Sequence, residues 1–233
     1  MKRRSKLGPD QISVIIPALN EAGNIAAAID SCRQNDIGEI IVSDGGSEDA
    51  TVEIASRAGA IVVPSRRGRG HQISIGIQSA TRPILILLHA DNRFSPGCTD
   101  ALCDRYATST AKLFWGGFCQ RIDSGDMIYR LLERGNAARI RWRGMPFGDQ
   151  AIFLESAALD VVGGMPEVAL MEDVRLSQRL RKHSWPVLLG ASIHVDARRW
   201  QKRGVIRQTL RNWGIQIADA AGVSEERLVK WYR

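Results

Sequence analysis

Three apolar runs in this chain end in acids. Ile12 to Ile16 is followed by Glu21, Ile40 to Ser43 by Asp44, and Ile84 to Leu88 by Asp91. Carboxylates can hold a divalent cation, accept hydrogen bonds from a ligand, or take a proton from an attacking hydroxyl. In an open parallel sheet, ligands gather beyond the carboxyl ends of the strands, so three such acids would surround one crevice. Each motif also has a plainer use. Asn20 and Ser47 to Asp49 are ordinary helix-capping types, and Gly45-Gly46 is an ordinary tight turn. Capping alone does not call for an acid at every strand end. A second group, Arg66, Arg67 and Arg69, lies among glycines. Guanidinium forks match phosphate oxygens, and a solvated basic loop fits the same residues.

The elements that must position these groups follow from periodicity. The first ninety residues repeat a β-branched run, a small polar turn and a segment with helical spacing, which predicts an α/β fold with parallel strands. The runs at Ile12 to Ile16, Ile40 to Ser43, Ile61 to Val63 and Ile84 to Leu88 are apolar apart from Ser13 and Ser43, as expected of strands covered on both faces. Ile25, Ile29 and Cys32 share one helix face, a second helix opens near Asp49 or Thr51 and stops at Gly59, and Ile73 to Ala80 reads as a third. After residue 100 the alternation loosens. Strands are expected at Leu113 to Phe118, Ala151 to Leu154, Val187 to Leu189 and Ser192 to Val195. Longer helices are expected around Met127 to Trp142, Val174 to Lys182 and Val205 to Ala221. We expect one domain, with residues 10–100 binding the donor and residues 101–233 forming an acceptor region and C-terminal helices.

Ile16-Pro17-Ala18-Leu19-Asn20-Glu21, then Ser43-Asp44-Gly45-Gly46-Ser47-Glu48-Asp49-Ala50-Thr51, then Leu88-His89-Ala90-Asp91-Asn92 resemble the successive signatures of family 2 glycosyltransferases, closest to a small bacterial subgroup without membrane helices. The resemblance runs from about Ile12 to about Gly204 and rests on order and spacing. It implies a GT-A fold, with a Rossmann-like, mostly parallel central sheet flanked by helices and a mixed C-terminal region. It further implies inverting transfer from a nucleotide-diphosphate sugar, a UDP-sugar in preference. By that likeness Pro17, Leu19 and Glu21 contact the nucleotide, Asp44 with Gly45 beside it holds the base, and Arg66 to Gly70, ahead of Gln72, lie beside the donor.

His89-Ala90-Asp91 occupies the place of the family's DXD metal motif, with histidine where the first aspartate would stand. Ala90 and Asp91 then face the donor, and Asp91 is the remaining ligand for magnesium or manganese. His89 is read as a packed residue and is not assigned to the metal. Met171-Glu172-Asp173 resembles the acidic pair in which Asp173 takes the acceptor proton and Glu172 orients the site. The same two acids also suit the N-terminus of the helix carrying Leu176 and Leu180. Gly148-Asp149-Gln150 matches a motif expected to face the donor sugar or acceptor. Arg198-Arg199-Trp200 resembles an arginine-aromatic motif that grips diphosphate and flanks the acceptor. The glutamine that heads it in processive relatives is absent, which implies single or short transfers.

Composition is compatible with this reading and narrows it little. The chain has 233 residues, 44% of them hydrophobic, enough for a substantial core. No apolar run reaches the about 20 residues that a membrane-spanning helix requires. The basic start lacks the apolar stretch of a secretory signal, so a cytoplasmic location is expected. The four cysteines lack paired metal-ligand spacing and read as reduced, structural thiols. A net charge of +7 favours an anionic partner. Ile206, Leu210, Trp213 and Ile217, with Arg203, Arg207 and Arg211 nearby, suit either core packing or peripheral contact with the inner face of a membrane. Two other functions compete. A sugar-nucleotide nucleotidyltransferase would show a glycine-rich loop with lysine after the first strand, which is missing. A non-catalytic nucleotide-sugar or nucleic-acid binder leaves Asp173 without a purpose, and the ordered acids repel nucleic-acid phosphates, so no nucleic-acid partner is expected. The acceptor is a hydroxyl of lipid, metabolite, glycan or protein.

Overall fold

The computed structural model describes residues 4–168 and 170–197, with isolated positions 204, 211, 214, 215, 218, 223, 227, 228 and 231. The chain runs β1 (Ile12–Ala18), α1 (Ile25–Arg33), β2 (Glu39–Asp44), α2 (Thr51–Arg57), β3 (Ile61–Pro64), α3 (Arg69–Ser79) and β4 (Ile84–Leu87). It continues through β5 (Asn92–Phe94), α4 (Cys98–Thr108), β6 (Trp115–Ile122), α5 (Met127–Arg143), β7 (Ile152–Glu155), α6 (Ala157–Val162), α7 (Glu172–Arg181) and β8 (Val187–Val195). All eight strands form one sheet in the order β3-β2-β1-β4-β7-β6-β8-β5. The first four are parallel. β7 is antiparallel to both β4 and β6, so the chain folds back across the middle of the sheet.

The continuous apolar runs are explained by two cores, one on each face. Ile12, Val14 and Ile16 of β1, with Ile84 and Ile86 of β4, pack against α1 and α4. Ile15, Leu85 and Leu87 turn to the other face, where Ile73, Leu159, Leu176 and Leu180 cover them. Alternate residues of β1 and β4 therefore feed different cores; Ser13 of β1 is a buried polar exception whose hydroxyl donates to Glu39, and β3, expected to be covered on both faces, is an edge strand with Ile61 51% exposed. At roughly 25 cal/mol per Å² of apolar surface removed from water, such fully buried isoleucines supply about 2 kcal/mol each.

The expected helix at Ile73 to Ala80 is present and starts earlier, at Arg69. The two short strands expected at Val187 to Leu189 and Ser192 to Val195 are one strand, β8, with a shift in its pairing to β6 between Phe118 and Cys119. Gly190 and Ala191 interrupt the apolar pattern there without interrupting the backbone. α4, α6 and β5 were not expected. In α4 the buried side chains are few, Cys98, Thr99 and Leu102, too sparse for a periodic signal.

Cys32, Cys98, Cys103 and Cys119 are free thiols. Burial pushes Cys32 furthest up, Cys98 to about 12 and Cys103 to about 11, which leaves these thiols protonated. Among the described residues no helix is long and apolar enough to cross a membrane. The helix expected at 205–221, including Ile206, Leu210, Trp213 and Ile217, lies outside the described residues apart from isolated positions.

Candidate active site

The loops after β1 and β2 are fastened to each other by the polar residues of their motifs. The Asn20 amide N–H donates to Ser47 Oγ at 2.9 Å, and Asn20 Oδ1 accepts from the Glu48 N–H at 2.9 Å. The Glu21 N–H reaches Thr51 Oγ1 at 2.8 Å, and the Ala22 N–H reaches Asp49 Oδ2 at 3.1 Å. Hydrogen bonds from Thr51 draw the Asp49 carboxyl below its ordinary value. Glu21 Oε2 accepts from Asn24 Nδ2 at 2.6 Å. Asp44 is buried, with Oδ2 accepting the Gly46 and Ser47 N–H groups at 3.0 Å and Oδ1 accepting from Ser47 Oγ at 2.5 Å. Its carboxylate shapes the loop that follows β2.

Gln72 is equally buried on α3. Its Nε2 donates to the Ala18 carbonyl at 2.7 Å and the Ser43 carbonyl at 3.1 Å, tying together the ends of β1 and β2. A Cβ at Gly45 would stand 2.8 Å from that amide, which is why no side chain fits there. Pro17 and Leu19 are half-buried at the mouth of this region, and Ala90 is buried at the end of β4. Gly70 is buried with its Cα against the carbonyls of Pro166 and Val168, while Arg66 and Arg67 are exposed.

A second group of acids comes from the antiparallel half. Asp149 sits in a 3-10 turn, Gly148–Gln150, between α5 and β7. Burial pushes its carboxyl up; Arg139 pulls it down, and the charges of Asp173 and Asp91 raise it further. The carboxylates of Asp91, Asp149 and Asp173, far apart in sequence, therefore share one electrostatic neighbourhood. Asp149 Oδ1 is buried and has no hydrogen-bond partner among the described residues. Asp173 is held by the backbone, its Oδ2 accepting the Gly148 N–H at 2.6 Å and Oδ1 the Val174 N–H at 2.7 Å. The carboxylate direction is thus set by the turn that carries Asp149.

Arg139, from α5, is the countercharge. Its Nε donates to the Met145 carbonyl at 3.0 Å, Nη1 to Asn136 Oδ1 at 2.9 Å and Nη2 to Gln150 Oε1 at 2.7 Å. The guanidinium lies 3.5 Å over the Phe147 ring. Burial lowers its pKa while Asp149 and Asp173 hold it up. Hydrogen bonds along the whole guanidinium and two nearby carboxylates make a charge at this depth tolerable. Nothing in sequence distinguishes it from the other arginines of α5.

His89, which the motif reading did not assign to the metal, also lies here. β4 ends at Leu87, and the chain turns through residues 88–91, with the Asn92 N–H donating to the His89 carbonyl at 3.0 Å. Strand periodicity therefore does not fix where His89 points relative to Asp91. A Cβ on Gly148 would lie 2.5 Å from His89 Nε2 and 3.2 Å from Asp173 Oδ2, so the imidazole sits against this turn beside Asp173. The asparagine that follows Asp91 also joins the site: Asn92 is fully buried and its Nδ2 donates to the Asp149 carbonyl at 3.4 Å.

Glu172 is nearly wholly buried at the start of α7, 3.5 Å from the Arg69 guanidinium at the start of α3. Nearby, Glu167 accepts from Ser74 Oγ at 2.7 Å and stands 3.9 Å from Arg66, so the basic loop and the segment ahead of α7 are joined. Burial raises Glu172 from 4.5 to about 7; Arg69 opposes this and Asp173 adds to it. A raised folded pKa gives a stability contribution that is full below about 4.5 and is lost as pH rises through about 7. Across that window the melting temperature of Glu172→Gln is therefore expected to fall less with pH than that of the native chain. Equal slopes in differential scanning calorimetry would mean that Arg69 keeps Glu172 ionised throughout.

Among the described residues, no three His, Cys, Asp or Glu side chains gather as a metal cage. Asp91 beside Asp149 suits magnesium or manganese completed by water and by phosphate oxygens that arrive with a ligand. Arg198, Arg199 and Trp200 lie outside the described residues. Three non-glycine residues around the site have left-handed backbones: Asn20 at φ 55°, Ala151 at 46° and Met171 at 66°. Met171 directly precedes Glu172 and Asp173, and Ala151 ends the turn of Asp149.

The family model described as "Glycosyl transferase family 2" matches residues 13–165. Glycosyltransferase AglJ of Haloferax volcanii is 35% identical over 95 residues, 40% of this chain and 31% of that protein. An uncharacterized glycosyltransferase of Mycobacterium tuberculosis is 33% identical over 89 residues, 38% of this chain and 40% of that protein. The matched segments thus span less than half the length of these relatives. Among solved structures, S. aureus TarS 1-349 in complex with UDP gives a TM-score of 0.61 at 16% identity, covering 79% of this chain and 60% of that one. Glucosyl-3-phosphoglycerate synthase from Mycobacterium tuberculosis, in complex with Mn2+, UDP and phosphoglyceric acid, gives 0.54 at 21% identity, covering 79% and 68%. These two likenesses are of fold, the GT-A fold. With the family model running from β1 past the end of α6 and the sheet superposing on GT-A enzymes, the chain belongs to glycosyltransferase family 2.

Proposed function

We propose that the chain is an inverting glycosyltransferase that moves a sugar from a nucleotide-diphosphate donor, a UDP-sugar in preference, to a hydroxyl acceptor with the help of a divalent cation. The observation that carries this reading is the convergence of Asp91 and Asp173 on Asp149, with Asp173 hydrogen-bonded to the turn that carries Asp149 and the half-buried Arg139 as countercharge. Solved structures of similar fold are described in complex with UDP, with UDP-GlcNAc, and with UDP together with Mg2+ or Mn2+, which supports this donor and cation class.

In this reading the acceptor oxygen bonds to the anomeric carbon as the bond from that carbon to the diphosphate oxygen breaks, and the acceptor proton passes to Asp173. The Gly148 N–H fixes the carboxylate that receives it. Asp149 Oδ1, buried without a hydrogen-bond partner among the described residues, accepts a sugar hydroxyl. Asp91 would hold the cation, which would supply positive charge against the departing diphosphate. Arg66 and Arg67 are exposed beside the donor entrance and pair with phosphate oxygens, with Arg198 and Arg199 as further phosphate contacts and Trp200 flanking the acceptor. Pro17, Leu19, Glu21, Asp44 and Gly45 contact the nucleotide. Gln72 contributes by fixing the two strand ends.

Titration calorimetry with UDP, with and without Mg2+ or Mn2+, tests this grip. Binding is expected to tighten with the cation, and Asp91→Ala to lose most of that gain. If the cation leaves UDP affinity unchanged, or if Asp91→Ala retains the whole enhancement, the donor site proposed here is wrong.

A further inference from the structure

We infer that the outer side of α5, together with Trp185, is a docking surface for an anionic lipid bilayer. α5 has 17 residues and two unlike sides. Its inner side buries Tyr129 and Ile140 and sends Asn136 and Arg139 into the acid cluster. On the outer side Met127, Leu131, Ala138 and Trp142 recur at helical spacing. Met127 is 78% exposed, Leu131 69% and Trp142 75%, far more apolar surface than an ordinary solvated helix presents. Ile128 at the same end is 41% exposed.

Trp185 enlarges the patch at the other end. Its Nε1 donates to the Arg141 carbonyl at 3.2 Å, which anchors the indole against the peptide joining Arg141 to Trp142, yet the residue is 52% exposed. Two exposed tryptophans, Trp142 and Trp185, thus belong to the same end of the helix. Around them are the exposed Arg141, Arg143, Arg181 and Lys182, and Arg134 interrupts the apolar stripe. The one acid of α5, Glu133, is taken by Arg130 at 2.7 Å and by the Ile122 N–H at 2.6 Å. Arg134, Arg141 and Arg143 have no ion-pair partner among the described residues.

This combination selects its occupant by charge and shape. Indole rings and long cationic side chains suit the headgroup layer, and Met127, Ile128 and Leu131 suit the acyl boundary beneath it. Unpaired arginines are attracted to anionic lipid. A nucleic acid would satisfy the arginines and leave the apolar stripe in water. A second copy would bring Arg134 and Arg141 against the same residues of its partner, a like-charge contact. Docking by this face sets the acid cluster, one helix diameter away, at the membrane surface. The inference does not depend on the donor or on the catalytic base.

The test is co-sedimentation of the full chain with vesicles of phosphatidylcholine containing about a quarter phosphatidylglycerol, against pure phosphatidylcholine. The native chain is expected to bind the anionic vesicles, less as salt rises, and Leu131→Glu with Trp142→Ala to weaken binding about tenfold or more. Both positions are exposed, so circular dichroism and melting temperature should match the native chain. Absence of native binding, equal binding to neutral vesicles, or unchanged binding by the double variant would overturn the proposal. So would a concentration-dependent dimer in light scattering that the double variant abolishes, since the face would then belong to a second copy.

Discussion

Asp173→Asn is expected to lower kcat by about 10²- to 10⁴-fold, the range that a positioned general base contributes, while UDP affinity stays near the native value. The substitution preserves shape. An asparagine oxygen can still accept the Gly148 N–H that now reaches Oδ2 at 2.6 Å, giving up only the Val174 N–H that now reaches Oδ1 at 2.7 Å, so the turn carrying Asp149 keeps its anchor. What disappears is the capacity to take a proton. Steady-state kinetics alongside calorimetry separates the two roles open to this residue. If UDP binding falls together with kcat, Asp173 supports the architecture at the start of α7 and the proton must go elsewhere. A kcat within a few-fold of native would remove the base assignment altogether.

Gly148→Ala is expected to cost about 10²-fold in kcat, the penalty associated with an ångström of misplacement among reacting groups. The added methyl would lie 2.5 Å from His89 Nε2 and 3.2 Å from Asp173 Oδ2. Neither separation is a relaxed contact, so the imidazole must swing away or the carboxylate must turn. Replacing His89 as well discriminates between these outcomes. If the imidazole alone is displaced, Gly148→Ala should add little further loss to His89→Ala; if the carboxylate is displaced, the second loss persists. Native kcat in Gly148→Ala itself would show that the close fit has no bearing on chemistry.

The parallel half was legible in sequence because β1 and β4 feed a core on both faces and so remain largely apolar, with polar residues appearing where they end. Asp44, Asp91 and Asp173 could be singled out for that reason or from their motifs. Their partners could not. Arg139 is one of five arginines on α5, and only tertiary packing turns it inward. His89 could not be placed from its motif, because β4 ends at Leu87 and strand periodicity does not extend to it. Asn20, Asp44 and Asp49 make the loop and capping hydrogen bonds that their residue types suggest, and those of Asp44 do not conflict with the ligand role proposed for it. The antiparallel return of β7, which brings Asp149 back beside β4, depends on contacts between segments far apart in the chain and leaves no local periodicity.

The left-handed backbones at Asn20, Ala151 and Met171 have a consequence for how this protein can be changed. Side chains with a Cβ hold that conformation at a cost of about 1 kcal/mol or more each, least for asparagine. Alanine and methionine are among the residue types that a search for stability alone would replace with glycine at such positions. Yet these two sit at the end of the Asp149 turn and at the threshold of Glu172 and Asp173, where a freer backbone would loosen the carboxylates. Thermostability and turnover are therefore set against each other at the same two residues, and variants selected for one should be expected to drift in the other.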